Sequence, residues 1–199
     1  MYFNFDFFKR KKIIKFLRFH FLSVMSLVVL SAYLAKDRYP AHYSFIFIPL
    51  LMFYSWLAHI VFGHIIPYNT HLVHHMKNIP RSFDLLVETF TDISFFVVPY
   101  VAQKLIGITV IPTLYLLFYG IVYVSIHIIN YSMFSASPTH KKHHIEKEHP
   151  LDYCNYGPDT IDHLFGTNCN DYYENQLHHI PNIIASFFIV KFFMNYNIV

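Results

Sequence analysis

Several apolar runs in this chain match the thickness of a lipid bilayer. In lipid a backbone has to satisfy its own N–H and C=O groups, which such runs do by forming helices. The first run covers residues 19–35, "FHFLSVMSLVVLSAYLA", and the second covers 43–66. Each is close to the about 20 residues that one crossing requires. A third apolar region, 93–129, is too long for one span and contains Pro99, Lys104, Gly107 and Pro112. It predicts a helical hairpin broken near residues 103–107, with spans at 93–103 and 107–129. A last stretch, 183–194, is too short to cross and predicts an interfacial or packing helix. Composition agrees. The chain is 55% hydrophobic and 14% charged, against about 25% charged in ordinary soluble domains. A cleaved signal peptide competes for the first run, since "SAYLA" would serve as a cleavage site, but further spans follow it.

Charge sets the expected topology. Six of the fifteen Lys and Arg lie in the first eighteen residues: Lys9, Arg10, Lys11, Lys12, Lys15 and Arg18. A polybasic stretch before an apolar run is a topology signal that keeps the N-terminus cytoplasmic, and a nucleic-acid partner is not expected. Four crossings then place the segments 67–92 and 130–182, and both termini, on the cytoplasmic side. The expectation is one domain, 1–199. It is an all-α, multi-pass membrane bundle of about four spans, with a basic N-terminus (1–18) and a cytoplasmic histidine-rich cap holding two metal ions. The membrane is the endoplasmic reticulum in a eukaryote or the inner membrane in a bacterium. Cys154 and Cys169 form no CxxC pair, so neither a disulfide framework nor a thiolate zinc site is expected.

Fifteen histidines are the compositional anomaly. "THLVHHMKN" carries His71, His74 and His75, and "THKKHHIEK" repeats the spacing at His140, His143 and His144. Positions i, i+3 and i+4 share one helix face, so each HxxHH presents three imidazoles in one direction. Ser137 as N-cap and Pro138 at the first helical position start the second helix, and His149-Pro150 closes it. His59 and His64 lie in an apolar span, where a polar side chain is costly and marks function. At i, i+5 they stand about 140° apart on an ideal α-helix. They reach different sides of a cluster or require a distortion, for which Gly63 is the candidate. His127 ends the fourth span. Nine imidazoles exceed the four ligands of one tetrahedral ion and suit two. His149 is a candidate tenth. His20, His42, His178 and His179 are expected to be interfacial or solvated. Asp84, Glu88 and Asp92 share a helix face, read as solvated, with hydrogen bonding to imidazole N–H groups as the alternative.

The order of His59 and His64, then His71, His74 and His75, then His127, then His140, His143 and His144 resembles the fatty acid hydroxylase/sterol desaturase superfamily. "CNYGPDTIDHLFGT" at 154–167 is similar to that superfamily's NYG turn and WDRLFGT-like box, and the resemblance covers roughly residues 43–170. It implies a membrane enzyme whose nine histidines hold two irons (zinc in purified protein) with no bridging carboxylate. Dioxygen would be the co-substrate and a fatty acyl or sterol-like lipid the substrate, hydroxylated in preference to desaturated. Electrons would come from a separate cytochrome b5- or ferredoxin-like donor, since no HPGG haem box is present. Departures occur at Ile60, where arginine is usual, at Ile161 in place of tryptophan, and at His163 in place of a basic residue, which is read as structural. Tyr131 stands where the hydroxylase branch often has a histidine. The spacing of His59 and His64 is similar to the hydroxylase branch; "SIH" at 125–127 and the tyrosine of NYG are similar to the desaturase branch. The competing readings are a membrane metal-binding or transport protein and an inactive family member.

Overall fold

Helix ends follow the punctuation in the sequence. Ile106 ends one long helix because Gly107 adopts φ 74°, a left-handed cap that closes on the Gln103 carbonyl. Pro112 opens the next helix from an extended conformation. The computed structural model describes residues 3–67, 69–75, 80–145 and 153–197, and among them every regular element is helical. The elements are α1 (Arg10–Phe19), α2 (Phe21–Ala35), α3 (His42–Ala58), α4 (Thr70–His74), α5 (Arg81–Ile106), α6 (Thr113–Ser125), α7 (Pro138–His143), α8 (Asp159–Phe165) and α9 (Ile180–Asn195). Helices α3 and α6 continue as π-helices over His59–Ile65 and Ile126–Met133. Gln176–His179 forms a 3-10 turn that runs into α9.

Helix α6 packs against α2, α3, α5 and α9. Ile48, Leu51, Phe118, Ile183 and Val190 are fully buried between these helices. On the outside, Leu86, Phe90, Val98, Leu105, Val110 and Phe188 are more than half exposed. Helices that are apolar both inside and outside fit a lipid surround.

Four helical stretches are long and apolar enough to cross a membrane: His42–Ile65, Arg81–Ile106, Thr113–Met133 and Gln176–Asn195. Helices α1 and α2, bent by 59°, form a fifth if they are counted as one broken span. The number agrees with the sequence reading, but the segments differ. The expected span at 19–35 is the 15-residue α2, too short by itself. The span expected at 93–103 starts at Arg81, because residues 81–92, assigned to the cap, continue the same helix. Its acidic residues interrupted the hydropathy run, yet each is turned inward to a partner. The stretch 183–194 lengthens to 20 residues because the turn Gln176–His179 joins it.

Contacts between α2 and α9 set their relative direction. Ser23 donates a hydrogen bond to Gln176 at 3.2 Å, and further along Tyr33 packs on Phe187 at 5.7 Å. Helices α2 and α9 therefore run in parallel, away from the histidines. Near the N-terminus, Asn4 N–H donates to the Leu164 carbonyl at 2.9 Å, beside the cap.

Candidate metal centre

The π-helix at His59–Ile65 resolves the i, i+5 problem. A wider turn brings residues five apart onto one face, and the Ile66 N–H donates to the Val61 carbonyl five residues back, at 3.0 Å. The rings of His59 and His64 stack 5.4 Å apart at 18°. Gly63 matters here for a different reason than flexibility. A Cβ on it would stand 3.0 Å from the ring Cδ2 of both His59 and His71. Asn69 then fixes the next helix: its side-chain oxygen accepts from Leu72 N–H at 2.9 Å, and its amide donates to the Gly63 carbonyl at 3.1 Å.

Four buried imidazoles converge: His59, His64, His71 and His143. The Nε2 of His59 lies 2.9 Å from that of His71 and 3.0 Å from that of His143. The Nε2 of His143 lies 3.1 Å from that of His64, and His75 Nε2 lies 3.0 Å from His71. Hydrogen bonds cannot account for this chain, because each neutral ring nitrogen offers one proton or one lone pair. His143 Nδ1–H donates to the Cys154 carbonyl at 2.9 Å, which leaves the Nε2 lone pair facing the cluster. Burial, followed by neighbouring imidazoles, pushes the pKa of His71 and of His143 well below 6.5, so both are neutral donors at pH 7. Unpaired, each buried ring would cost about 1–3 kcal/mol.

A second group holds Glu88, His127 and His140. His127 sits on the other π-helix, where Phe134 N–H again donates five residues back, to Ile129. His127 Nδ1–H donates to Asp92 at 2.7 Å, which aims its Nε2 toward Glu88 Oε1, 3.6 Å away. Glu88 also accepts from the Ser132 hydroxyl, and Arg81 pairs with Asp84. Glu88 and Asp92 are each 1% exposed, so the solvated acidic face is not what forms. Likewise Glu88, a carboxylate, stands among donors that the sequence reading expected to be all imidazole. His144 Nε2 approaches His140 Nε2 at 2.8 Å, and its ring stacks on His75 at 4.5 Å, joining the two groups.

The second triplet therefore divides. His143 belongs with the first group, and His140 and His144 belong with the second. Ser137 caps α7 as expected, its hydroxyl accepting from His140 N–H at 2.9 Å, and Pro138 follows. The helix ends at His143, before the expected stop. His149 and Pro150 lie outside the described residues, as does the side chain of His74, whose backbone is in α4.

The segment after α7 holds the cluster from behind. Asp162 accepts from Tyr156 N–H at 3.1 Å, Gly157 N–H at 2.6 Å and the Thr167 hydroxyl at 2.6 Å. Trp56 donates its indole N–H to the same Thr167 at 3.0 Å. The NYG turn and the FGT box thus form one clamp on α3. Cys154 and Cys169 are joined by a disulfide, contrary to the sequence reading. The backbone folds back between them, with Asn155 N–H donating to Thr167, a closure that CxxC spacing does not reveal.

Two further histidines expected to be interfacial or solvated, His20 and His179, are buried instead. His20 is fully buried, 2.9 Å from Asp159 and 2.9 Å from Thr160. His179 is 6% exposed and shares a 2.9 Å hydrogen bond with the Tyr131 hydroxyl. His178 is partly covered beside Glu174. His42 is exposed as expected, and His163 is structural, bonded to the Tyr172 carbonyl and stacked on Tyr173.

A cavity of about 80 Å³ reaches the centre from the bundle. Its lining includes the apolar Val24, Leu27, Met52, Val122, Ile126 and Ile183 and the polar rings of His59, Tyr131, His127, His140 and His179. No protein-family model, curated protein or solved structure matches the chain.

Proposed function

We propose that the chain is an integral-membrane lipid oxidoreductase of the fatty acid hydroxylase/sterol desaturase type, hydroxylating a fatty acyl or sterol-like lipid in preference to desaturating it. The observation that supports it most is the presence of two buried donor groups beside a largely apolar cavity that His59, His127 and His140 help to line. The donors fit two ions of a metal that favours imidazole, such as iron or zinc. His59, His64, His71 and His143, with His75 beside them, would hold one. Glu88, His127 and His140, with His144 beside them, would hold the other. When bound, iron in these groups supplies the activation of dioxygen needed to oxidise an unactivated lipid C–H bond.

The chain's own residues do the rest. The Asp92 carboxylate and the Cys154 carbonyl fix the rings of His127 and His143. Apolar side chains of α2, α3, α6 and α9 position the lipid and exclude water. The cavity is smaller than the roughly 150 Å³ that holds a benzene ring, so it would take only a short segment of a lipid. Electrons come from a separate donor on the histidine side. The basic N-terminus makes that side cytoplasmic, in the endoplasmic reticulum or a bacterial inner membrane.

The test is lipid mass spectrometry of cells expressing the wild type or His143→Ala, with metal content measured on both proteins. A hydroxylated or unsaturated lipid that disappears in the variant is the expected result. Identical lipids with metal still bound to the wild type would replace this function by non-catalytic metal binding.

A further inference from the structure

A third donor group lies apart from the two just described, where the cap meets α9. Glu174, His178 and His179 each offer a ligand atom, all within 4.8 Å of one another. The Glu174 side chain is 3% exposed and that of His178 is 28% exposed. Glu174 is anchored through Oε2, which accepts from the hydroxyls of Ser137 and Thr139. Its other oxygen, Oε1, is buried and has no hydrogen bond. It lies 3.3 Å from His178 Nε2, a close polar neighbour and an ion-pair partner when that ring is protonated. His178 Nδ1–H donates to the Asn175 carbonyl at 2.8 Å. Two electron-rich atoms held together in a partly buried site need a positive charge between them, either a proton on Nε2 or a metal ion, and His179 adds the third donor that a metal ion would use.

We propose that Glu174, His178 and His179 form a third metal site, separate from the histidine centre and independent of its catalytic reading. Two imidazoles and one carboxylate are a ligand set for zinc or ferrous iron and not for calcium or magnesium. The partial exposure of His178 provides the entry path. The role is structural. The site ties the 3-10 turn that leads into α9 to Glu174, and Glu174 holds the Ser137 cap of the helix that carries His140 and His143. His179 in turn reaches the cavity through Tyr131, whose ring stacks on His140 at 5.0 Å. An ion here would fix one wall of the cavity beside the histidine centre.

The test strips the full chain in detergent of metal, reloads it with zinc and counts zinc per chain. The expected result is three equivalents in the wild type and two in His178→Ala and in Glu174→Gln. Equal zinc in the wild type and His178→Ala overturns the proposal, and leaves an imidazolium–carboxylate pair in its place. A second measurement needs no variant: zinc should slow modification of His178 by diethyl pyrocarbonate, followed by mass spectrometry, at least tenfold. The same rate with and without zinc again overturns the site. His143→Ala separates the two readings. It lowers zinc at the histidine centre and leaves zinc protection of His178 intact, so a failure at one site is visible without the other.

Discussion

Gly63→Ala tests whether the histidine centre depends on close approach. The added Cβ would meet the Cδ2 atoms of His59 and His71 at 3.0 Å. Carbon atoms rest at about 3.5–4.0 Å, so each ring would have to give by a few tenths of an ångström. Metal sites tolerate about 0.2 Å in ligand distance. Both rings are 2% exposed and wedged among other imidazoles, so they have little room to move. Two effects compete in the metal-free fold. Alanine favours the helical backbone by about 0.5–1 kcal/mol, and overpacking costs about 1–3 kcal/mol. The expected net loss without metal is therefore small, about 0–2.5 kcal/mol. Metal affinity at the first group should fall much further, on the order of 100-fold, because both ligands are displaced together. Metal content after dialysis and the Tm in detergent, with and without chelator, read the two effects separately. Wild-type protein should lose stability on chelation, and the variant should bind less metal and lose little. A Gly63→Ala protein with wild-type metal content and the same chelator-induced drop in Tm would refute the argument.

Other outcomes follow from the same geometry. Asp92→Ala removes the acceptor for His127 Nδ1–H and should weaken metal binding about 10–100-fold, measured by competition with a chromophoric chelator; unchanged affinity would mean Asp92 does not orient the ring. Ser137→Ala removes the cap of α7 and should lower stability by about 1–2 kcal/mol, read from urea unfolding in detergent, with no change if the cap is idle. Stability of the metal-free protein should depend on pH through His71 and His143, whose folded pKa values are depressed below 6.5. The unfolded chain takes up protons that the folded one refuses, so stability is complete above pH 6.5 and declines as the pH falls below it. A urea midpoint that stays flat from about pH 7.5 to 5 would contradict that burial. Trp56→Phe breaks the bond to Thr167 and should cost about 1 kcal/mol in the same assay; no loss would show that the clamp on α3 does not depend on it.

The sequence determined those features that are written in neighbouring residues. Long apolar runs required membrane-length helices, Gly107 ended one of them, and Ser137 with Pro138 began the second histidine helix. Paired HxxHH spacing announced that imidazoles would gather. What tertiary structure decided depended on partners far along the chain. Hydropathy counts a carboxylate as a break, so α5 was cut short at its acidic residues. Glu88 is paired with Ser132, 44 residues away, and Asp92 with His127, 35 residues away. The sequence raised a distortion near Gly63, but only the fold showed that it is a π-helix and that two rings crowd the missing side chain. The division of His140 and His143 between two groups, and the union of Cys154 with Cys169, have the same origin. A local pattern sets which way a side chain can point, and only the packed bundle sets what it meets there. In an apolar interior every buried polar atom has to find such a partner, however distant in sequence.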